Sequence, residues 1–171
     1  MLEAHTARGN HPSSYFMSEQ GTLTKVFPIS AVACDPEEVE FLKGNIDIFI
    51  DRCNKLGIPI SQVVSQRMLY LHDKFHFMQE VQYAGKDIWE LAPTLTEEQK
   101  EIVVDQFLQM YSKAFAGGFT VGLDAKPQNF CLDDKEILRY VDFTPPRIQA
   151  YGDVYYSDWP EPPAEFRDYH V

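Results

Sequence analysis

The sequence predicts an α+β fold: a small antiparallel sheet with one helix in the N-terminal half, joined to a reduced helical unit in the C-terminal half. Three patterns carry this expectation. β-forming residues flank the turn Glu19-Gln20-Gly21, apolar residues recur every three or four positions from Asp35-Pro36 to Leu56, and two runs dense in Val, Leu, Tyr, Phe and Met follow at 63–71 and 75–82.

In chain order, residues 15–30 read as a hairpin with Lys25 in its second strand. The helix over 36–56 follows from the stripe Val39, Leu42, Ile46, Phe49, Cys53 and Leu56. Asp35 suits its N-cap, Pro36 its first turn and Gly57 its end. The runs 63–71 and 75–82 are the next strands, turning at Asp73-Lys74, which makes about four strands around one helix. The composition changes at Ala84-Gly85, so 1–83 and 84–171 read as two lobes. Thr96, Glu97 and Glu98 open a longer helix through Val103, Phe107, Met110, Tyr111 and Phe115, closed by Gly117-Gly118. Beyond it a loop and a small hairpin turning at Asp133-Asp134-Lys135 are expected. Regular structure should be sparse in the Pro-rich, aromatic tail 145–171.

At 171 residues, 44% apolar and 24% charged, the chain can bury a substantial core. Its formal net charge of −11, without a Lys/Arg cluster, argues against nucleic acid or an anionic membrane as partner. Cys34, Cys53 and Cys131 are odd in number and far apart, which suits neither a disulfide framework nor a thiolate zinc site. Met1 to Ser14 lacks a basic-then-apolar leader, and no window approaches eighteen continuous apolar residues. A cytoplasmic setting is expected. His72 and His76 have a helical metal spacing but fall in predicted strands, so no metal is assigned to them.

The chemistry concentrates in Gly-Leu-Asp-Ala-Lys-Pro-Gln-Asn-Phe, residues 122–130, and Tyr-Val-Asp-Phe-Thr, residues 140–144. Asn129 lies five residues after Asp124, and Asp142 thirteen after Asn129. Taken alone, these are a polar loop and a turn aspartate. Together, the two segments resemble the catalytic loop and metal-binding turn of protein kinases and aminoglycoside phosphotransferases, in both residue types and intervals. Phosphoryl transfer needs a carboxylate to orient the attacking hydroxyl and oxygen ligands to hold Mg²⁺ between phosphates. The resemblance implies Asp124 as catalytic base, Lys126 as a neutraliser of phosphoryl charge, and Asn129 and Asp142 as metal ligands.

It extends over roughly residues 15–145. Thr24-Lys25-Val26-Phe27 is similar to the strand whose Lys contacts the α- and β-phosphates. Glu38, at the edge of the apolar stripe, is the implied partner of Lys25 rather than Glu40; equally, Glu37, Glu38 and Glu40 can serve as first-turn acids complementing the helix dipole. Residues 75–82 resemble the strand entering the interlobe hinge, which places the adenine-binding backbone at Gln79, Glu80 and Val81. The chain departs from the family in four places: Gly122-Leu123 stand before the aspartate in place of His-Arg or His-Gly, Thr144 replaces the Gly after Asp-Phe, 7–14 holds a single Gly where a Gly-rich cover belongs, and only 29 residues follow Asp142, too few for the family's helical substrate lobe, so either a minimal fold or a fragment is expected.

These implications define a kinase-like phosphotransferase using ATP and Mg²⁺ on a hydroxyl acceptor. Pro145-Pro146 leave no room for an activation loop, which favours a small molecule over a protein. Two alternatives share the scaffold: a pseudokinase-like module docking a protein partner through its aromatic C-terminal segment, and a nucleotidyl transferase.

Overall fold

The computed structural model describes residues 4–6, 14–17, 21–28, 36–71, 74–116, 120–142, 147–150 and 153–156. Its N-terminal part is an antiparallel sheet of five strands: β1 (Ala4–Thr6), β2 (Ser14–Met17), β3 (Thr22–Pro28), β4 (Val63–Leu71) and β5 (Lys74–Gln82), in the order β1-β2-β3-β5-β4. The expected hairpin is β2 against β3, pairing Tyr15 with Lys25. The first strand, only three residues long, is too short to leave a periodic signal, so the sheet holds five strands and not four.

Between β3 and β4 runs α1 (Pro36–Leu56). Its predicted stripe is its buried face, since Val39, Leu42, Ile46, Phe49 and Cys53 are at most 3% exposed. The helix stops at Gly57, whose φ of 65° lets its N–H bond Asn54 O while Ile58 N–H bonds Cys53 O. This is a Schellman ending, and glycine takes its left-handed position without Cβ conflict. The expected cap Asp35 lies outside the described residues.

After β5 come β6 (Lys86–Asp87), the one-turn α2 (Ile88–Leu91) and α3 (Glu97–Ala116). Thr96 and Gln99 form a reciprocal capping box at the start of α3: Gln99 N–H donates to Thr96 Oγ1 and Thr96 N–H to Gln99 Oε1. The closing pair Gly117-Gly118 is outside the described residues. Next follow β7 (Val121–Gly122), a 3₁₀ turn (Pro127–Asn129), β8 (Phe130–Leu132) and β9 (Leu138–Tyr140). The hairpin expected around Asp133 is β8 against β9, and β6 joins it on the other side of β8.

The tail departs from expectation. β10 (Arg147–Ala150) and β11 (Asp153–Tyr156) form a hairpin, and β10 pairs with β7 through Arg147 to Gly122 and Ile148 to Val121. The prolines at 145, 146 and 160 bracket this stretch without entering it, so no missing N–H or fixed φ interrupts the pairing. Among the described residues, the C-terminal half holds the long helix α3, the one-turn α2 and short strands.

One continuous core joins both halves: Ile46 and Phe49 of α1, Phe77 and Val81 of β5, Met110 and Ala114 of α3, and Phe130, Leu138, Tyr140 and Ile148 of the strands. Rings carry it across, with Phe107 to Phe130 at 5.1 Å, Phe130 to Tyr140 at 5.2 Å and Phe49 to Tyr140 at 6.1 Å between centroids. Among the described residues, no helix is long and apolar enough to cross a membrane.

Candidate functional site

The loop holding Asp124 is tight because its polar groups bond locally. Pro127 occupies the first position of the 3₁₀ turn, a place that needs no N–H donor, and Asn129 N–H reaches back to Lys126 O at 2.9 Å. Asn129 is 6% exposed and turns its side-chain Nδ2 to Asp124 O at 3.4 Å. That bond leaves Oδ1 as the oxygen on the opposite edge of the amide.

Val141 joins this loop to the two other predicted elements. Its N–H donates to Asn129 O at 2.9 Å, and its carbonyl accepts from Lys25 Nζ, also at 2.9 Å, across 116 positions of sequence. Asp142 is the next residue. One peptide segment therefore brings together the lysine of β3, the loop of Asp124 and Asn129, and the half-buried Asp142. Lys25 is itself 3% exposed, and burying an ammonium is tolerable only where oxygens receive its protons.

Lys126 Nζ stands 3.5 Å from Asp124 Oδ2, with the lysine side chain 44% exposed, so this contact orients more than it stabilises. Glu38 belongs to α1, but its side chain lies outside the described residues. Glu40 is exposed and pairs with Lys43 at 2.9 Å, on the side of the helix away from the core, as its position on the stripe implies.

Gln79, Glu80 and Val81, the expected hinge, fall in the last stretch of β5, just before the chain leaves the sheet. They lie inside β5 and pair with Lys25, Thr24 and Leu23 of β3 on one side and Gln66, Ser65 and Val63 of β4 on the other. A central strand spends its backbone groups mainly on its two neighbours, and the β4 register shifts between Val63 and Ser65, opposite Val81 and Glu80. Gln79 is fully buried as the cross-strand partner of Lys25, and the Glu80 carboxylate accepts from Thr22 Oγ1 at 2.8 Å and Ser65 Oγ at 3.1 Å. The chain leaves the sheet after Gln82, so the connection is 83–85. Of the two histidines, His76 sits in β5, and His72 is outside the described residues.

Two site residues carry no sequence signal of their role. Tyr140 accepts the Asp124 N–H at 3.2 Å, and Tyr111 donates its hydroxyl to Leu123 O at 2.6 Å. Tyr111 reads from sequence as part of the apolar run of its helix, and Tyr140 only as the residue that opens the 140–144 segment. The nearest thing to a signal is that Tyr140 stands two residues before Asp142.

Cys131 lies behind the loop in β8, and burial, with Asp87 and Glu90 adding and Lys25 opposing, pushes its thiol up to about 12. It is packing, not a nucleophile. Among the described residues, no group of three or more His, Cys, Asp or Glu is arranged to hold a metal ion. Mg²⁺ in nucleotide sites takes one or two protein carboxylates, with phosphate and water completing the shell, and Asp142 and Asn129 Oδ1 are oxygen donors of the kind it takes. With Lys25, the set combines hard oxygen donors for a cation and positive charge for an anion. No protein-family model matches the chain, and no curated protein matches it.

Proposed function

We propose that the chain is a small kinase-like fold that binds ATP with Mg²⁺ between the Lys25 sheet and the Asp124 loop and transfers a phosphoryl group to a hydroxyl, most simply of a small molecule. The carrying observation is the Val141 junction, where Lys25 Nζ and Asn129 O meet the residue preceding Asp142. Spacing along the sequence does not require Lys25 to approach Asp142, so their proximity through Val141 is independent support for one site. Lys25 would neutralise phosphate charge. Asp142 and Asn129 would hold the metal, which supplies charge stabilisation at the transferred group when bound. Asp124 would orient the acceptor hydroxyl and Lys126 offset the charge developing beside it. The connection 83–85 takes the adenine-facing role that the resemblance gives to Gln79, Glu80 and Val81.

A second reading, a non-catalytic nucleotide or partner module, has its own support: Lys25 is engaged by a protein carbonyl and Asp124 by Lys126. Calorimetric titration of ATP with and without Mg²⁺, into wild type and Asp142→Ala, tests the site. Metal-dependent binding that weakens by about 10-fold or more in the variant is the expected result. Absence of binding to the folded wild type would sink the proposal. Binding retained by Asp124→Asn, with loss of ATP turnover, would distinguish the enzyme from the module.

A further inference from the structure

We infer that Tyr111 and Tyr140 are positioning residues that clamp the single peptide unit linking Leu123 to Asp124 and thereby aim the Asp124 carboxylate. The two hydroxyls hold opposite ends of the same amide. Tyr111 Oη donates to Leu123 O at 2.6 Å, and Asp124 N–H donates to Tyr140 Oη at 3.2 Å. Because a peptide is planar, fixing its carbonyl and its N–H fixes the plane from which the Asp124 side chain departs. The next carbonyl along, Asp124 O, is held by Asn129 Nδ2, so the backbone is restrained on both sides of the Asp124 Cα.

The neighbouring side chains explain the need for such a device. Gly122 and Leu123 bring no polar side chain that could fix the aspartate, and Leu123 is itself buried. Both tyrosines are anchored in regular elements. Tyr140 is 2% exposed in β9, packs its ring near those of Phe130 and Phe49, donates its N–H to Pro59 O at 3.0 Å and accepts at its carbonyl from Ser61 N–H at 3.1 Å. Tyr111 lies in α3 with its ring 4.7 Å from that of Phe107. As Tyr140 stands two residues before Asp142, the same phenol that holds the Asp124 loop also ties it to the segment bearing the second carboxylate. The separation of the two acids is then set by the protein before any ligand arrives, which is the preorganisation that positioning catalysis requires.

The catalytic part of this inference rests on the phosphotransferase reading; the clamp itself rests on the hydrogen bonds. The test uses Tyr111→Phe, Tyr140→Phe and the double variant, which keep the rings and remove only the hydroxyls. Amide hydrogen exchange is read by NMR, and Mg²⁺·ATP hydrolysis, with water as acceptor, is followed by phosphate release. In Tyr140→Phe the Asp124 amide should exchange about 10-fold faster or more, while the Ser61 and Tyr140 amides stay unchanged. In the double variant kcat should fall by about 10-fold or more, with KM for ATP within about 2-fold of wild type. An Asp124 amide indifferent to Tyr140→Phe would overturn the clamp. Faster exchange with kcat unaltered would overturn its positioning role. A wild type that neither binds nor hydrolyses Mg²⁺·ATP would overturn the aiming of a catalytic carboxylate together with the phosphotransferase reading, while the exchange result would still decide the clamp on its own.

Discussion

At the scale of single residues, the site depends on side chains whose partners are backbone atoms. Val141 contributes only its peptide groups, yet these receive Lys25 and join Asn129. Asp133 plays a similar part in the hairpin that delivers Asp142. Its Oδ1 accepts the N–H groups of Lys135 and Ile137, and its Oδ2 accepts Arg139 Nε at 2.8 Å. Burial alone would raise its pKa, but these hydrogen bonds and the Arg139 charge outweigh burial and hold it below the ordinary 3.8. A carboxylate depressed in the folded state contributes stability above its unfolded value and loses that contribution as pH falls through the folded one. Urea unfolding of wild type and Asp133→Asn should therefore differ most near neutrality, and the gap should narrow as pH drops below about 4. A gap that widens in acid would contradict this. Lys25, Asp124, Asn129 and Asp142 stood out in the sequence through their residue types and spacing, and the Val141 junction is what the structure adds to them. Tyr111 and Tyr140 did not stand out, because a hydroxyl that bonds a distant carbonyl or amide leaves no mark in sequence spacing.

At the scale of elements, the periodic ones and the hairpin around Asp133 matched the sequence, whereas β1 and the β10–β11 hairpin went unread. The helices 36–56 and 97–116 each carry enough turns for their apolar stripes to be read, and both form over those spans. β5 runs through Gln82, the end that its apolar run predicts, with Gln79, Glu80 and Val81 inside it and the connection after it. That connection turns at Gly85, whose φ is 95° and whose position leaves no room for a Cβ beside the carbonyl of Leu132. Gly85→Ala should cost about 3 kcal/mol or more, from the strained backbone and the displaced β8 together. Gly44 provides the converse case, in the exposed interior of α1, where an added methyl group would meet nothing within 4 Å. Gly44→Ala should stabilise by about 0.5–1 kcal/mol through helix propensity. Chemical denaturation of the pair checks both signs, and a neutral Gly85→Ala would mean the β5 to β6 turn is not held against β8.

At the scale of the whole molecule, the ring sequence Phe107, Phe130, Tyr140 and Phe49 passes from α3 through the strands to α1. The site lies on this path, since Phe130 follows Asn129 and Tyr140 precedes Val141. Phe130→Ala should therefore lose about 3–5 kcal/mol, a large share of an ordinary domain's stability. The loss should appear as one shifted transition, with the helical signal and tryptophan fluorescence moving together. Separate transitions for the two halves would show that the shared core does not couple them.

The α+β class, both long helices, the central hairpins and the residue types at the candidate site could all be read from the chain alone, because periodic burial and the chemistry of oxygen donors are local properties. Two further features took tertiary structure to settle: the β10–β11 hairpin on β7, and the meeting of Lys25 with Val141. Each depends on a hydrogen-bond partner far away in the chain, and a backbone donor or acceptor, common to nearly every residue, gives the sequence no means of naming that partner.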